Sequence, residues 1–225
     1  MIRTVAFIQR RDGMDRRSFR DHYENEHVPL ATSRLVGLQH YVRNHVTDAY
    51  STEEHAFDAI SEFEYADRTA FETTLELLAG PDGEPLRQDE SKFMEKAGNS
   101  YFRTDRFVVG GLGRPQAGSD PKAMVLLRPG EGASRSDLAE WARELGTSLC
   151  GHGEVNHVEL DVAREGDPLG APAWDVLLHA WYERDVTAGR ALADLAHRFS
   201  GEAPACCIWV EEGGYAAASP ETGLA

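Results

Sequence analysis

The stretch Tyr-Glu-Asn-Glu-His-Val-Pro-Leu, residues 23–30, sets one imidazole, His27, at the end of a carboxylate-rich segment and directly before an apolar step. With an ordinary pKa near ~6.5, such a ring can both take and give a proton close to neutrality, and nearby carboxylates or burial tune it either way. The competing reading is a helix-terminal histidine that caps carbonyls or answers the helix dipole. Tyr23 precedes it by four residues, one turn along the same helix face, where its phenol can bond a substrate oxygen or orient the ring. His22 is its neighbour in sequence, rotated by about 100° on a helix. His27, Tyr23 and Glu62 are the candidate catalytic residues, and His22, Tyr41, Asn44 and His45 are candidates for substrate binding.

Strand alternation supplies the last three. In Leu38–Val46, LQHYVRNHV, one face carries His40, Val42 and Asn44 and the other Tyr41, Arg43 and His45. Both sets are polar, so the pattern leaves open which one faces a pocket. In AFDAISEFEY (56–65), Asp58, Ile60, Glu62 and Glu64 share a face. Carboxylates on a covered sheet are costly unless paired or used. Glu62, at mid-strand, is read as a partner for His27, with an ion pair between sheets as the plainer alternative. No metal is expected, since HExxH, HxH and CxxC are all missing. His22 and His27, five apart, point about 140° away from each other on an α-helix. GGLG (110–113) lacks the strand–helix setting of a nucleotide loop, and Cys206 and Cys207 alternate faces of a strand.

The elements that hold these residues repeat. Strands at 3–10, 38–46, 56–65 and 101–109 and helices at about 16–29 and 67–78, with further helical turns at 88–97, read β-α-β-β-α-β, a ferredoxin-like unit. Asp15 is the expected N-cap of the first helix, and Pro29 should loosen its end at Val28. Gly/Pro-rich residues 111–121 read as a linker. The same order then returns over 122–214, with helices at 134–149 and 185–199, before a tail at 215–225. DGMDRRSFRDH (12–22) lies over EGASRSDLAEW (131–141), and AFDAISEFEY over AWDVLLHAWY (173–182). Asp58 meets Asp175, and His40 meets His157. Under EHVPL the second copy reads LGTSL, so His27 falls on Gly146. A residue needed only for folding is expected in both copies, and the missing histidine shifts weight toward function.

The bulk numbers fit this picture. At 225 residues, 41% hydrophobic and 27% charged, the chain has the composition of a globular protein of one large domain or two small ones. The net charge of −15 opposes binding to nucleic acid or to an anionic membrane. No run approaches the ~20 apolar residues of a membrane span. Three cysteines make no disulfide framework, so a reduced, cytoplasmic setting is expected.

Residues up to about 109 resemble the EthD family of dimeric α/β-barrel proteins. The resemblance is carried by RRDGMDRRSFRDHYENEHVPL, GLQHYVRNHV, AFDAISEFEY and DESKFMEKAGNSYFRTDRFVV. Its most specific part is a helix ending Glu-His-x-Pro-Leu, followed by a strand ending Tyr-Val-x-Asn-His. The second half resembles the family only through the repeat. The resemblance implies a small-molecule pocket between sheet and helices. Related barrels include polyketide cyclases, cofactor-free decarboxylases and dehydratases, muconolactone isomerases and cofactor-free quinone-forming monooxygenases, and more distant ones bind haem. The expected fold is α+β: two ferredoxin-like units, 1–110 and 122–214, packed sheet to sheet as an intrachain dimeric α/β barrel. The expected function is cofactor-independent dehydration, cyclisation, decarboxylation or isomerisation of a small cyclic, aromatic or polyketide-like metabolite. The alternatives are a cofactor-free monooxygenase, or a binding accessory to a partner oxygenase. The expected partner is the small-molecule substrate, with no nucleic acid or membrane, and a homodimer of the two-unit chain is possible.

Overall fold

A computed structural model describes residues 1–51, 57–151, 153–199 and 205–216. The first half runs β1 (Ile2–Ile8), α1 (Arg16–His22), a π-helical turn (Tyr23–His27), α2 (Val28–Thr32), β2 (Leu38–Ser51), β3 (Ala59–Tyr65), α3 (Arg68–Ala79), α4 (Glu84–Phe93) and β4 (Ser100–Gly111). The second runs β5 (Lys122–Leu127), α5 (Arg135–Cys150), β6 (Val155–Ala163), β7 (Val176–Tyr182), α6 (Ala188–Arg198) and β8 (Ala205–Ala216).

The strands close into a barrel in the order β1-β3-β2-β8-β5-β7-β6-β4, every neighbouring pair antiparallel. Each half contributes a ferredoxin-like sheet, β4-β1-β3-β2 and β8-β5-β7-β6. The sheets bury their inner faces against each other and also pair at both edges, β2 with β8 and β4 with β6. Among the described residues, closure leaves no strand edge bare. Val5, Phe7, Ile60, Met124, Leu126 and Ile208 are among the apolar residues that fill the interior.

Local chemistry explains why the halves match. Asp15 caps α1 by accepting from the Ser18 N–H at 2.9 Å, and Ser134 caps α5 in a reciprocal box with Asp137. Gly13 and Gly132 turn the chain at φ 80° and 81°, a conformation that favours glycine. Arg16 Nε lies 3.2 Å from Asp58, and Arg135 Nε lies 2.7 Å from Asp175. The Asp58 N–H also donates to Ile8 O at 2.8 Å, as that of Asp175 does to Leu127 O at 2.9 Å. The paired aspartates are thus corner posts. His40 and His157 both follow strand irregularities, yet His40 is exposed near Glu64 while His157 is buried on Glu159.

Three expectations need correction. The first helix does not loosen at Val28, which has φ −60° and ψ −47°. Its N–H reaches back five residues to Tyr23 O, and the chain stays helical to Thr32. The π turn shifts the hydrogen-bond register, so Pro29 falls in the first turn of α2, where its missing N–H is tolerated. The linker is shorter than expected, because Gly111 belongs to β4. β8 runs to Ala216 and so takes in residues 215–216 of the expected tail; residues 217–225 lie outside the described residues. Residues 52–56, where the approach to β3 was expected, lie outside them too.

Candidate active site

The site is built around the π turn. Phe19, Tyr23 and Ala31 fasten the α1–α2 segment to the outer face of the first sheet. Glu24 adds a polar anchor: its carboxylate takes Arg43 Nε at 3.1 Å, Arg43 Nη2 at 2.5 Å and His45 Nε2 at 2.6 Å. Burial works to raise this carboxyl, but the His45 and Arg43 hydrogen bonds prevail and bring it down to about 2.

The same turn brings His22 and His27 to one carboxylate. His22 Nε2 and His27 Nδ1 each lie 3.0 Å from an oxygen of Asp89 on α4. An i→i+5 turn returns residues five apart to the same face, so the 140° separation expected of an α-helix does not apply. Phe93, one turn beyond Asp89, packs against both imidazoles, with centroids 4.9 and 5.1 Å away.

The electrostatics follow from burial. His27 is 6% exposed, and that burial holds its pKa below the ordinary imidazole value against the pull of the Asp89 hydrogen bond. Burial works to raise Asp89 as well, but hydrogen bonds from His27, Lys92 and His22 prevail and keep it below the usual carboxylate range. An ionised Asp89 only accepts, so Nδ1 of a neutral His27 carries the proton and Nε2 is the basic nitrogen. Beside it, the Tyr41 hydroxyl donates to Tyr23 Oη at 3.0 Å, and Tyr23 Oη is 2.7 Å from Ser61 Oγ. Burial pushes both phenols above their ordinary values, Tyr41 furthest.

His27, Tyr23 and Tyr41 line a cavity of about 430 Å³ between sheet and helices. Its other walls are mostly apolar, including Phe63, Phe71, Leu78, Leu86 and Met94. Glu90, in contact with Lys96, supplies a charged border. A cavity of this size and character suits a small, largely apolar ligand held by a few polar groups.

The fates of the remaining candidates differ. His22 stands behind His27, bound to the same Asp89. His45 faces the helices but is spent on Glu24. Asn44 and Glu62 face the barrel interior, on the opposite side of the sheet from His27. Asn44 Nδ2 donates to Glu62 Oε1 at 2.8 Å, and Lys122 Nζ lies 3.2 Å from the same oxygen. Arg106 Nη2 lies 2.6 Å from Glu62 Oε2. Burial alone would raise Glu62, yet Lys122, Arg106, His179 and Arg3 hold it well below the carboxylate range. The ion pair between sheets, the plainer reading of Glu62, is the observed one, and Asp89 takes the place proposed for it beside His27. Asp89 carried a signal in sequence. It shares the buried stripe of α4 with Leu86 and Phe93, where an apolar residue is the rule.

Among the described residues, two donor trios have metal-like spacing, His22–Glu26–Asp89 and Glu62–Asp161–His179. Cations of the chain already hold both. Lys92 Nζ lies 3.2 Å from Asp89 Oδ1, and Arg106 contacts both Glu62 and Asp161. The second half fills the space that the first leaves open. At Gly146, in the position of His27, an added Cβ would sit 3.0 to 3.3 Å from Val158, Val109 and Leu178 side chains. Helix α5 therefore lies directly on its sheet.

Solved structures share the fold. An anthrone oxidase-like protein aligns at TM-score 0.60 and 11% identity, covering 97% of this chain and 94% of its own. A candidate monooxygenase from Fusobacterium nucleatum aligns at 0.59 and 10%, covering 97% and 95%, and another from Lactobacillus acidophilus at 0.51 and 9%, covering 96% and 95%. At such identities the likeness is one of fold. No curated protein sequence matches the chain. The EthD domain model matches residues 11–97, the stretch that supplies α1 to α4 and both histidines on Asp89.

Proposed function

We propose that the chain is a cofactor-independent enzyme that uses His27 as general acid and base on a small, cyclic or aromatic, polyketide-like metabolite. The observation that carries this reading is a buried imidazole on a largely apolar cavity, its Nδ1 taken by Asp89 and its Nε2 available to a ligand. Neutral at pH 7, Nε2 accepts a proton from an acidic C–H or O–H of the substrate, and the resulting imidazolium, steadied by Asp89, returns it to the product or leaving group. Tyr23, which accepts from Tyr41, can turn its own O–H to the developing oxyanion when Ser61 donates to it. Dehydration, cyclisation, decarboxylation and isomerisation all fit such a proton shuttle.

A second reading is a cofactor-free monooxygenase, in which the deprotonated substrate itself reacts with oxygen. The fold-likeness to an anthrone oxidase-like protein favours including it. The test is turnover of a panel of anthrones and hydroxylated polyketide aromatics by wild type and His27→Ala, with dissolved oxygen recorded. The proposal expects a loss of about 10² or more in rate. Oxygen uptake matched to turnover selects the monooxygenase. A His27→Ala protein that turns over normally removes the proposal, and ligand binding with no reaction leaves an accessory binding protein.

A further inference from the structure

The cavity of the first half is walled in part by the second. Leu169 lines it from the connection between β6 and β7, and packs on the apolar cluster of the first half. The backbone there is pinned to the start of β4. Asp167, its side chain 1% exposed, accepts from the Arg103 N–H at 2.5 Å and from Arg103 Nε at 3.1 Å. Its other oxygen accepts from the Leu169 N–H at 2.9 Å, which fixes where that side chain starts. The Arg164 N–H donates to Arg103 O at 2.9 Å, and Ser100 Oγ donates to Ala171 O at 3.1 Å. Gly170, at φ 147°, lets the chain pass Tyr101, where an added Cβ would sit 3.6 Å from the carbonyl oxygen.

A buried carboxylate with three donors is a costly device for an idle surface loop. Here it aims one apolar residue into the other unit's cavity. We infer that Leu169 is a specificity-determining residue: the β6–β7 loop is part of the wall against which a bound ligand packs, and its bulk limits ligand size. The half that lacks the histidine thereby shapes the site of the half that has it. The inference rests on this cavity being the ligand site.

The test reads binding, so it stands apart from turnover. N-phenyl-1-naphthylamine, a neutral fluorophore excited directly, is titrated into the full chain, and 2-naphthol and anthrone are measured by displacement. Leu169→Trp should weaken the fluorophore about tenfold with an unchanged melting temperature, as overfilling an apolar wall does. Leu169→Ala should shift the affinity ratio of anthrone to 2-naphthol by about threefold or more toward the larger ring system. Leu78→Trp fills the cavity from α3 and marks occupancy, and Leu112→Trp, on an exposed side chain, is the silent control. If Leu78→Trp weakens binding while both Leu169 variants stay within twofold of wild type, the loop is a bystander and only this inference falls. If neither position matters, the probe does not enter the cavity, and the inference falls with the site it rests on.

Discussion

Replacing Asp89 with Asn tests the central geometry most directly, because it removes a charge and leaves the shape. The carboxylate sits 3.0 Å from His27 Nδ1, buried beside Phe93. A hydrogen bond to a charged partner contributes about 1.5–3 kcal/mol, and each ~1.4 kcal/mol is tenfold, so the rate of the proton-transfer step should fall by about 10–10². The pH dependence has a sign. Burial pulls the His27 pKa down and Asp89 holds it up, so without the charge the pKa moves further down. The acidic limb of kcat/KM should therefore shift to lower pH while the plateau drops. NMR titration of the His27 ring from roughly pH 4 to 8 reads the same shift without a substrate. An Nδ1–H tautomer in wild type and a lower pKa in Asp89→Asn are the expected results. A ring pKa that stays put or rises in the variant, or an unchanged plateau, would refute the assignment of Asp89 as the group that orients His27.

Other consequences are open to simpler assays. His22→Leu removes one donor to Asp89 and should slow turnover by about tenfold, while His22→Gln, which keeps a donor, should recover most of it; equal rates for the two variants would free His22 from the site. Glu62→Ala leaves Lys122 and Arg106 short of a buried counter-charge and should cost about 3 kcal/mol in urea unfolding. The same variant should leave kcat of the folded protein within about twofold, since Glu62 lies across the sheet from His27. Gly146→His should destabilise by about 3 kcal/mol without creating a second site, because α5 leaves no room beside Val158 and Leu178. Burial lowers the pKa of both His27 and His179, so the unfolded chain takes up protons that the native one refuses. Stability from this source is complete above about pH 6.5 and falls as the pH drops toward the lowered native values. The slope of the urea midpoint with pH should be shallower in His27→Ala.

The sequence exposed the architecture where one rule acts locally. The caps Asp15 and Ser134, the glycines at 13 and 132, and the aspartates at 58 and 175 are readable because each does the same job in both halves. His27, Tyr23 and Tyr41 were also legible, and they do line one cavity. Two things were hidden. The π turn leaves no mark in residue spacing, since it changes which carbonyl a donor chooses rather than which residues are present. That concealed the convergence of His22 and His27 on Asp89, which arrives from a helix more than sixty residues away. Alternation grouped the residues of β2 and β3 correctly, but not which group faces in. The partners that make Glu62 an interior ion, Lys122 and Arg106, come from β5 and the β4 seam, and closure of the barrel alone brings them together.

That closure also has an implication for connectivity. Because β2–β8 and β4–β6 ladders join the halves, the peptide between Gly111 and Lys122 is not what holds them together. A protease nick at exposed Leu112 should leave a two-piece protein that still migrates as one. Separately produced fragments, each with two unsatisfied flanks, should find each other by strand complementation, making the chain a natural split reporter.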